Sequence, residues 1–289
     1  MKIKNWFKKI LKIVGILLLL VIISFSILFY RIFRPLSDEE ILEKFETESV
    51  QPTISYIDYK GKKVRVVHMQ KVIDTTLATL VFVHGSPGSL MDFKRYLKDE
   101  DLNKKANLIS YDRVGYGENN RGEILNSIEE EVELLHKIIE NLNPDKLILI
   151  GYSYGGTTVL ASPKKINQKM LLAAAVKGDL EPMFWALNLY KWKLTRPFVP
   201  KIFQAATQEK LRHIKELKTF EKVWNQSDAK VISIHGSLDR IVPYENSLFL
   251  TNIFDKDKFT LITLEKGTHS LIWTNFEIIK NEILKVIVE

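Results

Sequence analysis

The chain has 289 residues, a net charge of +7 and no cysteine. The lack of cysteine excludes disulfides, cysteine nucleophiles and thiolate metal sites. Residues 1–34 contain seven lysines and arginines and no acidic residue, which leaves 35 basic against 35 acidic residues in the rest of the chain. Because the excess charge is confined to the amino terminus, the composition gives no support to a nucleic-acid partner.

An uncharged apolar run extends from Ile13 to Tyr30. As a helix, its 18 residues would span about 27 Å, close to the hydrocarbon thickness of a bilayer. We therefore predict a membrane anchor over residues 1–34, with a single transmembrane helix at about 12–31. A cleaved signal peptide is the alternative, but the bulky residues that end the run lack a small-residue cleavage site.

The flanks of this run predict its orientation. Five lysines precede it and two arginines follow it. By the positive-inside rule, the amino terminus is expected in the cytoplasm and the rest of the chain on the outer side, periplasmic or extracellular. Residues 35–52 are predicted to form an acidic amphipathic helix and a linker to a domain over residues 53–289.

Short apolar runs alternate with helical patterns in this domain, which predicts a mostly parallel sheet with helices on both faces. About 50 residues separate the fifth run from the sixth, more than one crossover needs. We predict that this stretch contains a helical cap inserted at about 177–228. The runs occupy residues 54–69 (a hairpin), 78–85, 107–112, 146–151, 169–176, 230–236 and 258–265.

The segment GYSYGG at residues 151–156 follows one of these runs. The pattern G-x-S-x-G between a buried strand and a helix is typical of a nucleophile elbow, in which the serine is exposed at a sharp turn. The glycines relieve steric clashes, and the helix directs N–H groups toward the site. We therefore predict Ser153 as a nucleophile; the alternative is an ordinary glycine-rich loop.

Two later turns supply the partners of this serine. Asp239 lies in HGSLDRIVP after a predicted strand, and His269 lies in GTHS before the last helix. The chain order Ser, Asp, His is the order that follows a G-x-S-x-G elbow. We predict His269 as the general base and Asp239 as the acid that orients it. Asp179 is an alternative acid, and His235 is expected to be structural.

The segment HGSPGS at residues 84–89 is the candidate oxyanion loop. Such a loop must present a backbone N–H where negative charge develops on the attacked carbonyl. Pro87 has no N–H, so the N–H of Ser86 is predicted as one donor, and that of Tyr154 as the second. His84 is expected to hold this loop in place by hydrogen bonds. Asp112 is expected to hold the neighbouring loop, YDRVGYG at residues 111–117, beside it.

In this order, HGSPGS, YDRVGYG, GYSYGG, HGSLDRIVP and GTHS resemble the α/β-hydrolase fold superfamily over residues 54–289. The resemblance implies an α/β fold with an eight-stranded, mostly parallel sheet, an inserted helical cap, and serine-dependent hydrolysis without a metal or organic cofactor. HGSPG with DRVGYG is also similar to proline iminopeptidases. That branch usually has a second glycine at the position of Ser86 and a tryptophan at that of Tyr154.

The predicted function is hydrolysis of an ester or related acyl bond through an acyl-enzyme. Amide or peptide hydrolysis, carbon–carbon bond hydrolysis, acyl transfer and non-catalytic binding remain alternatives. The expected partners are the membrane and a small-molecule ester or acyl substrate, for which a lipid is one option. Six apolar residues of the cap are expected either to line an acyl pocket or to form the cap's own core: Phe184, Trp185, Leu187, Leu189, Tyr190 and Trp192.

Overall fold

The computed structural model describes residues 2–47 and 50–288. Its eight-stranded sheet has the order β1-β2-β4-β3-β5-β6-β7-β8. The pairs β1–β2 and β2–β4 are antiparallel and the others are parallel, which confirms the predicted mostly parallel sheet. The strands are β1 (Thr53–Tyr59), β2 (Lys62–His68), β3 (Ala78–Val83), β4 (Ala106–Tyr111), β5 (Leu147–Tyr152), β6 (Gln168–Leu172), β7 (Lys230–Gly236) and β8 (Phe259–Leu264).

The helices cover both faces of this sheet. Buried residues of α5, α6 and α9 pack on one face, and those of α2, α3, α4, α10 and α11 on the other. The helices are α1 (Lys2–Ile32), α2 (Asp38–Phe45), α3 (Lys94–Leu97), α4 (Glu100–Lys105), α5 (Ile128–Ile138), α6 (Tyr154–Ala161), α7 (Asn188–Lys191), α8 (Lys201–Phe220), α9 (Glu245–Ile253), α10 (Leu271–Thr274) and α11 (Phe276–Val288).

The central strands are buried on both faces, as continuous apolar runs in a parallel sheet should be. Along β3, Val81 and Val83 join one core cluster, while Leu80 and Phe82 join the other. This alternation follows from the period of two in a strand. The core is therefore two apolar layers, one on each side of the sheet, and the loops at its carboxyl edge are left free to form a site.

Part of the segment 35–52, predicted to form an amphipathic helix and a linker, is folded onto the domain. The hydroxyl of Ser37 caps α2 by accepting a hydrogen bond from the N–H of Glu40 at 3.3 Å. Ile41 and Phe45 are fully buried against the sheet. The helix docks because its amphipathic face has a core on which to pack.

Over Trp6–Ile32, helix α1 is long and apolar enough to cross a membrane. Membrane anchors and signal sequences both have this length and composition. The last turns of α1 contact the region between β6 and β7. The ring of Phe29 stacks on that of Phe203 with 5.4 Å between the ring centroids, and the ring of Phe33 contacts the same ring edge-on with 4.9 Å between centroids. The amino terminus of α8 therefore lies against the end of α1.

Between β6 and β7 the chain forms α7, α8 and short 3-10 turns. The stretch 183–194 has helical composition, yet it folds as the turn Trp185–Leu187 followed by the single turn of α7. Strand β6 ends at Leu172, four residues before the predicted end, because Ala173 adopts φ +49° and leaves the extended conformation.

Candidate active site

Ser153 lies in the turn between β5 and α6 with φ +53° and ψ −120°. This conformation is rare for a residue with a side chain and suits a nucleophile elbow. Two flanking glycines make the turn possible. A Cβ on Gly151 would lie 2.4 Å from the carbonyl oxygen of Gly155, and one on Gly155 would lie 2.1 Å from that of Val83.

The structure brings three residues from distant parts of the chain together. His269 Nε2 lies 3.1 Å from Ser153 Oγ, and His269 Nδ1 lies 2.7 Å from Asp239 Oδ2. The other carboxylate oxygen of Asp239 accepts hydrogen bonds from the N–H groups of Ile241 and Val242, both at 2.9 Å. With Nδ1–H donated to the carboxylate, Nε2 is free to accept from the serine hydroxyl.

The charge of Asp239 is maintained by its neighbours. Burial alone would raise the pKa of Asp239, but hydrogen bonds with His235 and His269 outweigh it and hold the pKa below its ordinary value. His235 itself has both nitrogens engaged: its Nε2–H is shared between the carbonyl of Val242 at 2.9 Å and Asp239 Oδ2 at 3.4 Å, and Nδ1 accepts from the hydroxyl of Ser247 at 2.7 Å. His235 is therefore structural, as its place in the sequence predicts.

Asp179, the alternative acid, lies elsewhere. Its side chain is 65% exposed and pairs with Lys218 at 2.7 Å. The structure therefore joins His269 to Asp239 and leaves Asp179 at the surface.

The candidate oxyanion loop packs directly on Ser153. A Cβ on Gly85 would lie 3.1 Å from the Cβ of Ser153. Ser86 and Tyr154 both line the same cavity as Ser153. Tyr154 is the first residue of α6, so its N–H has no partner within the helix. Both predicted donors thus lie beside the serine, and their role in binding an oxyanion stays a prediction.

His84 and Asp112 have the structural roles expected of them. His84 Nε2 accepts from the N–H of Arg113 at 2.9 Å, so Nδ1 donates to the carbonyl of Gly85 at 2.8 Å. Asp112 accepts from the N–H of Leu90 at 3.1 Å and thereby ties its own loop to the segment after the oxyanion loop.

A buried network that the sequence did not reveal connects α8 to the candidate oxyanion loop. Arg113 pairs with Glu131 at 2.8 Å and with Glu209 of α8 at 2.6 Å. The hydroxyl of Tyr116 donates to Glu209 at 2.6 Å and lies 2.7 Å from the hydroxyl of Ser86. Because the one proton of Tyr116 goes to Glu209, Ser86 is the donor to Tyr116. The only sequence signal was the motif that contains Arg113 and Tyr116.

Arg113→Met is expected to lower the free energy of unfolding by about 3–5 kcal/mol, because two carboxylates would lose their partner in a buried site. Burial opposes the charge of Arg113, yet Glu131 and Glu209 outweigh it and hold the pKa of Arg113 above its ordinary value. Denaturant unfolding of the full chain in detergent measures the change.

Lys104→Met is the matched control for that substitution. The pair between Lys104 and Glu100 is exposed on both sides, 67% and 70%, and such pairs contribute about 0–1 kcal/mol. Equal losses in the two variants would contradict the importance assigned to the buried network.

The cavity at Ser153 encloses about 530 Å³, within the range of about 300–1,000 Å³ typical of ligand sites. Its walls are mostly apolar and come from the oxyanion loop, the region between β6 and β7, and α1. Of the six apolar residues predicted for the cap, four line it: Phe184, Leu187, Leu189 and Tyr190. The other two, Trp185 and Trp192, contact each other with 5.9 Å between their ring centroids and are 67% and 49% exposed.

Three charged or titratable side chains of the region between β6 and β7 also line the cavity. Glu181 is buried and pairs with Lys210. His213 Nδ1 lies 3.6 Å from the same carboxylate, and its ring packs on that of Tyr154 at 4.7 Å. His213 Nε2 is buried and has no hydrogen-bond partner among the described residues. One polar position in the wall is thus left unpaired.

Two known groups of proteins match parts of the sequence. A family model described as alpha/beta hydrolase fold matches residues 78–215. A proline iminopeptidase of Lactobacillus delbrueckii subsp. lactis is 26% identical over 144 residues, 47% of each protein. The chain thus spans about half the length of the curated relatives it matches.

Solved structures match most of the chain at low identity. A membrane phospholipase A, described as a novel bacterial virulence factor, is 12% identical with a TM-score of 0.64, covering 95% of this chain and 96% of its own. A meta-cleavage product hydrolase of Pseudomonas fluorescens IP01 is 18% identical with a TM-score of 0.60, covering 80% and 96%. The solved structures and the family match agree on the fold: the chain has the α/β-hydrolase fold.

Proposed function

We propose that this protein is a membrane-anchored serine hydrolase that cleaves an ester or related acyl bond through an acyl-enzyme. The observation that carries the proposal is the hydrogen-bonded series Ser153–His269–Asp239, at 3.1 and 2.7 Å, beside the N–H of Tyr154 and the oxyanion loop. A serine alone is a weak nucleophile, and a base held by a carboxylate is what activates it.

In the proposed reaction, Ser153 Oγ attacks the acyl carbon while His269 Nε2 takes the hydroxyl proton. The N–H groups of Ser86 and Tyr154 hold the oxyanion, and Asp239 stabilises the imidazolium. The bond from the acyl carbon to the leaving oxygen breaks, and the alcohol leaves with the proton from His269. Water then attacks the acyl-enzyme by the reverse route, giving a carboxylic acid and free Ser153.

The anchor in this proposal is α1, uncleaved and oriented with its lysine-rich amino terminus in the cytoplasm. What supports it is the uncharged run from Ile13 to Tyr30 and the excess of lysine before it. The catalytic domain would then lie on the outer side of the membrane.

The curated relatives are named proline iminopeptidases, so amide cleavage is the second candidate. Capture of a substrate ammonium group requires an unpaired carboxylate in the site. Among the described residues that line the cavity, the acidic one is Glu181, and Lys210 already pairs with it. This pairing and the apolar walls favour an acyl ester over an aminoacyl amide.

A fluorophosphonate probe tests the proposal. We expect it to label the wild-type protein and not Ser153→Ala; a membrane-impermeant form should label intact cells if the domain is outside. A panel of p-nitrophenyl esters and aminoacyl anilides then separates ester from amide hydrolysis. Failure to label correctly folded protein would favour a non-catalytic binding protein, and faster turnover of the anilides would favour the peptidase alternative.

A further inference from the structure

The wall of the cavity at Ser153 includes the anchor helix. Phe25, Ser26 and Phe29 of α1 line the same cavity of about 530 Å³ as the nucleophile. A helix that only tethered the domain would have no reason to border the reacting serine. The membrane-spanning segment and the catalytic residues thus share one binding space.

One face of α1 makes this contact. Residues 11–25 are all exposed, whereas Ser26, Phe29 and Phe33 are partly covered. Their spacing of three and four residues places them on one side of the helix. The aromatic contacts of Phe29 and Phe33 with Phe203 hold that side against α8. The end of α1 is therefore seated at the cavity by specific packing.

The position of these residues along α1 predicts which part of a bilayer they contact. Phe25 and Phe29 precede Tyr30, the end of the uncharged run, by five residues and one residue, which is about 7.5 and 1.5 Å along the helix. If the run fills the hydrocarbon layer, this part of the wall lies at its outer edge. The ester groups and first methylenes of membrane lipids lie at that level.

The surface beside the cavity also suits a bilayer. Between Met183 and Phe198, large apolar side chains are 41–84% exposed: Met183, Phe184, Trp185, Trp192, Leu194 and Phe198. Lys191 and Lys193 are interspersed with them. Exposed tryptophans among apolar and basic residues are typical of segments that lie in the membrane interface, and apolar patches of this kind are uncommon on surfaces that face water.

We propose that the substrate is a long-chain acyl ester of a membrane lipid, which enters the cavity from the bilayer along the Ser26–Phe29 face of α1. The acyl chain lies against this face and the apolar walls, and its ester carbonyl reaches Ser153. The unpaired Nε2 of His213 offers a hydrogen-bonding position to a polar atom of the lipid. This inference rests on the proposed serine hydrolysis, and the products are a fatty acid and the deacylated lipid.

The test uses the full-length protein in phosphatidylcholine vesicles, with substitutions of graded size at Ser26. We expect Ser26→Leu and then Ser26→Trp to lower fatty-acid release progressively, by about tenfold or more for tryptophan, because the added volume fills the chain path. The matched control is Leu28→Trp. Leu28 lies about 200° around the helix from Ser26, is 56% exposed and does not line the cavity, so release should match the wild type.

Parallel measurements separate failure of this inference from failure of the proposed function. If the probe labels Ser153 and p-nitrophenyl butyrate is hydrolysed, but the vesicle lipid is not, the lipid inference is wrong and the hydrolase stands. Equal lipid hydrolysis by Ser26→Trp and Leu28→Trp would also overturn it. Absence of labelling would overturn both. A second arm with phosphatidylcholine vesicles that contain diacylglycerol distinguishes phospholipid from neutral lipid as the source of the ester.

Discussion

Ser153→Ala is expected to lower kcat on any ester substrate by about 10⁴- to 10⁶-fold, since the residual activity then comes only from binding and oxyanion stabilisation. Ser153 is 8% exposed, and the substitution removes its hydroxyl oxygen, which lies 3.1 Å from His269 Nε2. The conformation of the elbow depends on its glycines, so we expect the circular dichroism spectrum of the variant to match that of the wild type. Steady-state kinetics in detergent measure the loss.

The control for that variant is Ser55→Ala. Ser55 lies on the edge strand β1 and does not line the cavity, and its hydroxyl is 3.0 Å from His68 Nε2. We expect kcat within about twofold of the wild type, as for most surface substitutions. If Ser153→Ala retained a tenth or more of the activity, another nucleophile would have to be found and the assignment of Ser153 would be wrong.

Local patterns of the sequence predict the strands and the elbow because their causes are local. A run such as residues 146–151 is buried on both faces wherever it lies in a parallel sheet. The glycines of GYSYGG are required by contacts within the turn itself, where a Cβ would overlap a neighbouring carbonyl. The same reasoning places Asp239, after β7, and His269, after β8, at the carboxyl edge of the sheet, because neighbouring parallel strands end at the same edge.

The remaining features depend on packing between distant segments, which a single sequence does not contain. Nothing near Glu209 indicates that its carboxylate would be buried against Arg113 and Tyr116. The seating of Ser26 and Phe29 on the cavity follows from the docking of α1 on Phe203. Likewise, helical composition over residues 183–194 was overridden by packing, and the chain there forms short turns.

Asp239→Asn is expected to lower kcat by about 10⁴-fold while the fold is retained. The amide oxygen can still accept from the N–H groups of Ile241 and Val242, so the loop should keep its shape. The amide nitrogen, however, can donate to His269 Nδ1, which places the ring proton on Nε2. In that tautomer His269 cannot accept the proton of Ser153.

The pH behaviour of this variant follows from the pKa of Asp239, which is lower in the folded protein than its ordinary value. The stabilising contribution of the charge is fully present above the unfolded pKa and is lost only as pH falls through the folded pKa. Between about pH 5 and pH 2, the excess stability of the wild type over the variant should therefore shrink as pH falls. An excess that stayed constant over this range would contradict a lowered pKa of Asp239.

Asp179→Asn is the matched control for Asp239→Asn, because both substitutions change one carboxylate to an amide in a segment that follows a strand. Asp179 is exposed and pairs with Lys218 away from His269, so we expect kcat within about twofold of the wild type. If Asp179→Asn instead caused the larger loss, the acid partner of His269 would have been assigned to the wrong residue. The two variants together therefore test whether the 2.7 Å contact between His269 and Asp239 is the one that catalysis uses.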